Sequence, residues 1–279
     1  MAHAVPAAHT PGPRLAALRA DRPLVQAITN YVSMDVAANV LLALGASPAM
    51  VHAKEEAAEF ARISGALVVN IGTLSAPWVE AMHLAAAAAQ AAKVPWALDP
   101  VGVGATAFRN QTSLALLAHR PTLIRGNASE IIALAALAGA AQGGEQARGG
   151  GPKGVDSADS SAAAIEAAKA LARATGAVVA ATGEFDVVTD GERLARIHGG
   201  HELMTRVTAL GCALSGVCAA FLAARRDPFE ATSAALAFYK LAGARASAMA
   251  QGPGSFRVAF LDMLAALEPS DEIDLVIET

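Results

Sequence analysis

Cysteine is nearly absent from this chain: only Cys212 and Cys218 occur in 279 residues. Six positions apart in one predicted helix, they project in different directions and cannot bridge, which removes a disulfide framework and points to a reduced, cytoplasmic setting. Aromatic residues make up only 4%, too few for the stacking platforms that single-stranded nucleic acid needs. An excess of positive charge is lacking too: 21 Lys and Arg stand against 25 Asp and Glu, a formal net charge of −4. That leaves no basic field for a phosphate backbone, so no nucleic-acid partner is expected. The longest apolar run, residues 36–51, is broken by Asn39, Gly45 and Pro48. No cationic segment followed by an apolar one opens the chain, so neither a membrane span nor a signal peptide is expected.

Several motifs are missing as well. There is no G-x-x-x-x-G-K-[ST], no G-x-G-x-x-G opening the first helix and no protein-kinase motif set, which disfavours P-loop, dinucleotide-binding and protein-kinase readings. The seven histidines are scattered without zinc spacing, so a hydrolytic zinc site is not expected.

What the chain has in quantity is apolar residues: 54% of it is hydrophobic and 16% charged, with a mean hydropathy of +0.41. That is enough for a large buried core. The expected organisation is a disordered N-terminus over residues 1–12 and a single domain over 13–279. Predicted strands at 24–29, 48–52, 67–71, 96–99 and 123–125 alternate with predicted helices at 33–44, 55–64, 77–93 and 112–119. Such alternation argues for a parallel sheet with helices on both faces. The glycine-rich stretch 139–154 reads as a surface insertion, with a lid as the alternative. A helix at 161–175 and a strand at 178–181 follow. Two short runs, 186–189 and 194–198, are joined by Asp190-Gly191, a hairpin signal that adds an antiparallel edge. Helices at 211–225, 228–249 and 254–267 complete the pattern.

In open α/β sheets ligands gather beyond the carboxyl ends of the strands. Thr29-Asn30, Asn70, Gly72-Thr73, Asp99, Arg125 to Asn127 and Thr182-Gly183 all fall there. Asp99 follows an apolar strand, where a carboxylate can hold a metal directly or through water. Asn127 and Glu130 have the spacing of a capping box, which is as good an account of them as a metal or phosphate role. Arg125 can meet a phosphate bidentately or serve as a surface ion-pair partner. Thr182-Gly183 fits a turn near a phosphate or an ordinary hairpin turn.

The segment 207–217, V-T-A-L-G-C-A-L-S-G-V, carries the most. It places a turn before an Ala-rich helix, and unpaired N–H groups at a helix start make a seat for phosphate. Cys212 stands among them, where those groups are expected to lower its pKa and where a substrate hydroxyl can approach. The plain alternative is a small buried hydrophobe.

Five segments in order carry a family resemblance: Ile28-Thr29-Asn30-Tyr31-Val32, Gly45-Ala46-Ser47-Pro48-Ala49-Met50, Leu98-Asp99-Pro100-Val101-Gly102, Arg125-Gly126-Asn127-Ala128-Ser129-Glu130 and Val207-Thr208-Ala209-Leu210-Gly211-Cys212. From about residue 22 to 267 the chain resembles the hydroxyethylthiazole kinases of thiamine salvage, within the ribokinase-like superfamily. Most ribokinase-like enzymes carry Asp where this chain has Cys212, and some members of the family have Gly in place of Ala209.

The resemblance implies a three-layer α/β/α sandwich with a mostly parallel sheet and an antiparallel edge hairpin. It also implies transfer of the γ-phosphoryl of ATP, with Mg²⁺, to the primary alcohol of 4-methyl-5-(2-hydroxyethyl)thiazole. On that basis Met50 and Ala209 line the thiazole site, with Asn30 and Gly72 nearby. Arg125, Thr182 and Gly211 contact ATP, Gly211 and Cys212 form the anion hole, and Asp99 and Glu130 organise magnesium and its waters. The implied assembly is a homotrimer with thiazole sites between subunits. An ATP- or ADP-dependent NAD(P)HX dehydratase, a hydroxymethylpyrimidine kinase and a non-catalytic binding protein are the alternatives.

Overall fold

Strands form here where β-branched and small apolar residues alternate between two covered faces. In the computed structural model, which describes residues 11–141, 157–224 and 227–278, nine strands do so. They are β1 (Leu24–Ile28), β2 (Ser47–Ala49), β3 (Ala66–Asn70), β4 (Trp96–Asp99), β5 (Leu123–Asn127), β6 (Val178–Thr182), β7 (Asp186–Thr189), β8 (Leu194–Ile197) and β9 (Leu275–Glu278). They join in one sheet of order β2-β1-β3-β4-β5-β6-β7-β8-β9. From β2 through β6 neighbours run parallel, and from β6 through β9 antiparallel.

Successive side chains of a strand point to opposite faces, and the cores divide accordingly. Val68, Ala97, Leu123, Val178 and Ala180 belong to one core, while Leu67, Val69, Trp96, Leu98, Ile124 and Val179 belong to the cores across the sheet. The first face is covered by helices α1 (Gly12–Asp21), α2 (Met34–Leu44), α8 (Leu210–Leu222), α9 (Pro228–Met249) and α10 (Pro253–Ala265). On the second lie α3 (Ala57–Ile63), α4 (Ala76–Ala92), α5 (Ala107–Leu117), α6 (Ala128–Ala141) and α7 (Ser157–Thr175). The result is the expected three-layer sandwich, with the Asp190-Gly191 connection joining the antiparallel pair β7 and β8.

The differences from expectation are local. Helix α5 starts at Ala107, five residues before the predicted 112, capped by Thr106 Oγ1 accepting from Arg109 N–H at 3.3 Å. Its first turn is polar because Arg109 points to backbone carbonyls of the site rather than to a core. Strand β2 is shorter than predicted and lies at the sheet edge, where Pro48 removes no needed ladder bond. Helix α1, the 3₁₀ turn Glu202–Arg206 and the closing edge strand β9 had no sequence signal. Residues 1–10 and 142–156, which hold most of the frayed-terminus and insertion readings, lie outside the described residues, although Gly12 already belongs to α1. No helix among the described residues is long and apolar enough to cross a membrane.

Candidate active site

Every residue of α8 is buried except Gly211 and Cys212. The helix crosses the sheet as an Ala-rich rod, and only its first turn comes out beyond the carboxyl ends of β1, β3 and β4. Its cap, Ala209, has φ 68° and no side-chain capping bond. The first intrahelical bond runs from Ala213 N–H to Ala209 O at 2.9 Å. The N–H groups of Leu210, Gly211 and Cys212 therefore precede the helical ladder and carry the positive end of its dipole. At that left-handed φ a Cβ is disfavoured, and glycine would be the easier fit. Tyr239 fixes the turn from behind, its hydroxyl donating to Leu210 O at 2.8 Å.

A polar chain leads inward from Cys212. Asn30, just after β1, donates from Nδ2 to Cys212 Sγ at 3.3 Å and to Asn70 Oδ1 at 2.9 Å. Asn70, at the end of β3, donates to Asp99 Oδ2 at 2.7 Å, and Ser215 Oγ donates to the same oxygen at 2.8 Å. Gly72 has no side chain for a packing reason: a Cβ there would stand 2.6 Å from Asn30 Nδ2 and 2.9 Å from Asn70 Oδ1. Asn70 appeared in sequence only as one of many polar strand ends. Ser215 was detectable in principle, because three residues beyond Cys212 it shares a helix face.

Arg125 is buried, which removes the surface ion-pair reading. Its Nη1 donates to Gly211 O at 2.9 Å, its Nη2 to Thr182 Oγ1 at 2.6 Å, and Nη1 stands 4.0 Å from Asp99 Oδ2. Thr182 in turn donates to Gly126 O at 3.2 Å. Two buried polar atoms of this group have no partner, Asp99 Oδ1 and Arg125 Nε. Buried polar atoms are normally satisfied, so an open acceptor on Asp99 and an open donor on Arg125 leave bonding capacity that water or a ligand can take up.

Glu130 fulfils the capping reading. Its N–H bonds Asn127 Oδ1 at 2.9 Å, and Asn127 N–H bonds Glu130 Oε2 at 2.9 Å. Its other oxygen accepts from Gly102 N–H at 2.8 Å, so the carboxylate also fixes the turn after Asp99. Arg109, which sequence reasoning missed, clamps that turn to its neighbour: Nη1 donates to Ile71 O and Val101 O at 2.7 Å, and Nη2 to Gly72 O at 3.0 Å. Met50 stands outside this network, at the end of β2, and like Ala209 is partly buried against the core under α8.

Electrostatics corrects one expectation. Burial, and then the Asp99 charge, push the Cys212 thiol above its ordinary value, against the help of hydrogen bonds from Asn30 and Asn70. The helix start was expected to lower it. Burial of the sulfur and the nearby carboxylate act in the opposite direction. Asp99 itself is pushed up to about 6, by burial and by the Glu130 charge, against Arg125, Ser215 and Asn70. Cys218 is a packed cysteine, fully buried with its thiol pushed up to about 12 by burial.

A magnesium ion fits these residues. It needs only one or two carboxylates besides phosphate oxygens and waters, and Asp99 presents an unpartnered carboxylate oxygen with Glu130 behind the same turn. Among the described residues no cluster of three or more His, Cys, Asp or Glu is suited to a metal. A cavity of about 710 Å³ opens beside the group, bordered by Arg125, Thr182, Ala209, Gly211 and Lys240. A larger groove of about 890 Å³ lies around Arg120, Thr122 and Pro228 and is lined by none of the site residues.

Comparison with known proteins places the chain in a family. The profile of the hydroxyethylthiazole kinase family matches residues 15–270. A hydroxyethylthiazole kinase of Cereibacter sphaeroides (strain ATCC 17029) is 60% identical over 258 residues, 92% of this chain and 94% of that protein. One from Rhizobium rhizogenes (strain K84) is 56% identical over 260 residues, 93% of each. The solved hydroxyethylthiazole kinase of Pyrococcus horikoshii OT3 superposes with a TM-score of 0.85 at 36% identity, covering 96% of this chain and 99% of that one. A Staphylococcus aureus pyridoxal kinase in complex with AMP-PCP shares the fold alone, with a TM-score of 0.61 at 14% identity over 92% and 98% of the two chains. With the family profile covering most of its length and relatives this similar, the chain belongs to the hydroxyethylthiazole kinase family.

Proposed function

We propose that this chain transfers the γ-phosphoryl group of ATP to the primary hydroxyl of 4-methyl-5-(2-hydroxyethyl)thiazole, in a cytoplasmic thiamine-salvage setting and through one kinase domain over residues 13–279. The observation that carries the reading is the first turn of α8. It presents free N–H groups and Cys212 beside an arginine and a buried carboxylate, each with an unpartnered atom.

Phosphoryl transfer has a loose transition state, so alignment and stabilisation of the equatorial oxygens supply most of the acceleration. The N–H groups of Gly211 and Cys212 receive the moving phosphoryl, and Arg125, held by Thr182 and Gly211, orients the nucleotide phosphates. Asp99 and Glu130 would hold Mg²⁺, the former directly or through water and the latter through water. There a bound ion would supply positive charge to offset that of the phosphate oxygens. Asn30 and Gly72 form the substrate side of the cleft, with Met50 and Ala209 as the apolar contacts for the thiazole ring.

Cys212 accepts the alcohol proton late, as a thiolate. Because burial raises the thiol, the thiolate fraction is small near neutrality and grows with pH.

A homotrimer with thiazole sites between subunits is part of the proposal. Tyr31 and Val32, directly after Asn30, are 67% and 62% exposed, an apolar rim on the cleft that a neighbouring subunit would cover. Tyr31 already leans on Trp78, with ring centroids 4.9 Å apart.

Incubation with the thiazole alcohol, ATP and Mg²⁺, followed by phosphorus NMR, tests the reading. A thiazole phosphate monoester is expected. ATP consumption with a pyrimidine alcohol only, or dehydration of a hydrated nicotinamide cofactor, would replace it with one of its alternatives.

A further inference from the structure

Lys240 is a buried cation that the mechanism above leaves unused. It projects from α9 with its side chain 9% exposed, and its Nζ is 3.4 Å from Oδ1 of Asp186, itself buried. The same nitrogen donates to Glu184 O at 3.1 Å and to Gly183 O and Gly199 O, both at 3.4 Å. Four acceptors surround three N–H donors, so the ammonium has none to spare for a phosphate.

The carbonyls it gathers belong to two separate turns. Gly183 and Glu184 lie between β6 and β7, starting one residue beyond Thr182. Gly199 and Gly200 follow β8 and have φ +99° and +80°. Backbone oxygens from two turns repel one another when they converge, and the cation among them removes that penalty. Asp186 completes the arrangement. It accepts from Gly183 N–H at 3.1 Å, and burial raises its carboxyl while Lys240 opposes the rise.

Both turns and Lys240 border the 710 Å³ cavity that also contains Arg125 and Gly211. The end of that cavity beside α8 has the phosphate-binding groups. Gly199, Gly200 and Met204 line the same cavity. Met204 lies flat on α9 because position 243 has no side chain: a Cβ on Gly243 would be 2.3 Å from its sulfur. Glu184 and Glu202 line the cavity as well, and carboxylates beside the Met204 side chain suit a nucleoside rather than a polyphosphate.

We propose that Lys240, with Asp186, is a positioning residue for the nucleotide: it ties the 183–184 and 199–200 turns into the wall against which the nucleoside end of ATP rests, without touching phosphate. The inference rests on the kinase reading and adds a positioning residue to it.

The test compares a non-hydrolysable ATP analogue with inorganic tripolyphosphate, binding each to the full chain by calorimetry. Lys240→Met alone strands a buried carboxylate and is expected to lower the melting temperature. Lys240→Met combined with Asp186→Asn removes both charges and is expected to restore it. In that double variant, affinity for the ATP analogue and KM for ATP should each worsen by about tenfold or more, while tripolyphosphate affinity, kcat and KM for the alcohol stay within about twofold. Lys240→Arg keeps the charge but replaces the ammonium with a planar fork, and should show the same ATP-selective loss in a folded protein. Unchanged ATP affinity in these variants, or equal loss for both ligands, overturns the inference while leaving the kinase intact. A wild-type protein that binds no ATP overturns the kinase reading and this inference with it.

Discussion

Two arginine–aspartate pairs in this molecule meet opposite fates. At the antiparallel edge, Arg193 reaches Asp190 Oδ2 at 2.7 Å and both oxygens of Asp227 at 2.7 and 3.1 Å, with its guanidinium 4.3 Å from the Phe229 ring centre. Burial pushes Asp190 up, yet bonds from the Arg193 side chain and from the backbone of Glu192 and Arg193 outweigh it and leave the carboxyl below its ordinary value. In the cleft, Arg125 stays 4.0 Å from Asp99, spends its N–H groups on Gly211 O and Thr182 Oγ1, and leaves Asp99 pushed up to about 6. The edge pair is saturated and half-wet, as a structural clasp should be. The cleft pair is dry and under-satisfied, with one orphaned atom on each side. Buried polar groups left incompletely bonded keep capacity for a further partner.

Substitutions can break this contrast. The largest effect is expected beside the under-satisfied pair: Cys212→Ala should lose roughly 10²–10⁴-fold in kcat, as removal of a proton-transfer group does, while Cys212→Asp retains or improves activity. Steady-state kinetics decides, and an unchanged Ala variant would make Cys212 a packing residue. A pH series adds a second readout. The wild-type rate should climb into the alkaline range as the thiol titrates, and Cys212→Asp should abolish that climb.

Arg125→Ala should raise KM for ATP more than KM for the alcohol, and should cost about 3–5 kcal/mol of stability by stranding buried Asp99. Arg193→Ala should leave kinetics unchanged and cost about 1 kcal/mol, because its partners are open to water. Denaturant titrations and kinetics on the two variants measure the contrast directly. Equal destabilisation would erase it.

The two aspartates should also respond to pH with opposite sign. In metal-free protein, folded Asp99 keeps its proton up to about pH 6 against an ordinary value of 3.8. The folded state binds more protons between those values, so the Asp99 contribution to stability falls as pH rises through that window. Asp190, lowered on folding, contributes fully above its ordinary value and loses that contribution as pH falls through the folded one. Denaturation curves from pH 3 to 7, compared with Asp99→Asn and Asp190→Asn, should show each slope vanish in its own variant. The smallest change expected is in Ala209→Gly, where relief of the left-handed φ should stabilise by about 1 kcal/mol or less. Thermal melting checks it, and a clear loss of stability would mean that the Cβ packing matters more than the strain.

Much of this was legible in the sequence wherever the signal is local. The parallel strands β1 and β3 to β6, the β7–β8 hairpin and the helices of the last third appear as alternating apolar runs with turn residues between them. Helix α1 escaped because its sequence shows no apolar stripe and only Gly12, Leu15 and Leu18 are buried. Strand β9 escaped because it is four residues long at an edge, with only Leu275 buried. In the site, Asn127 and Glu130 were readable as a reciprocal cap and Cys212 as a helix-start residue. Arg109 and Lys240 were not, because each binds carbonyls, and carbonyls belong to every residue alike.

The sequence by itself determined the layered α/β pattern and the helix start at Gly211-Cys212, since periodicity, caps and turns depend on neighbours three or four residues away. Only the tertiary structure decided the charge states and partners of the site. Asn30 meets Cys212 across 182 residues of chain and Arg125 meets Gly211 across 86. The energy of a buried polar group is set by what the fold places around it in a low-dielectric interior, and no local pattern records that.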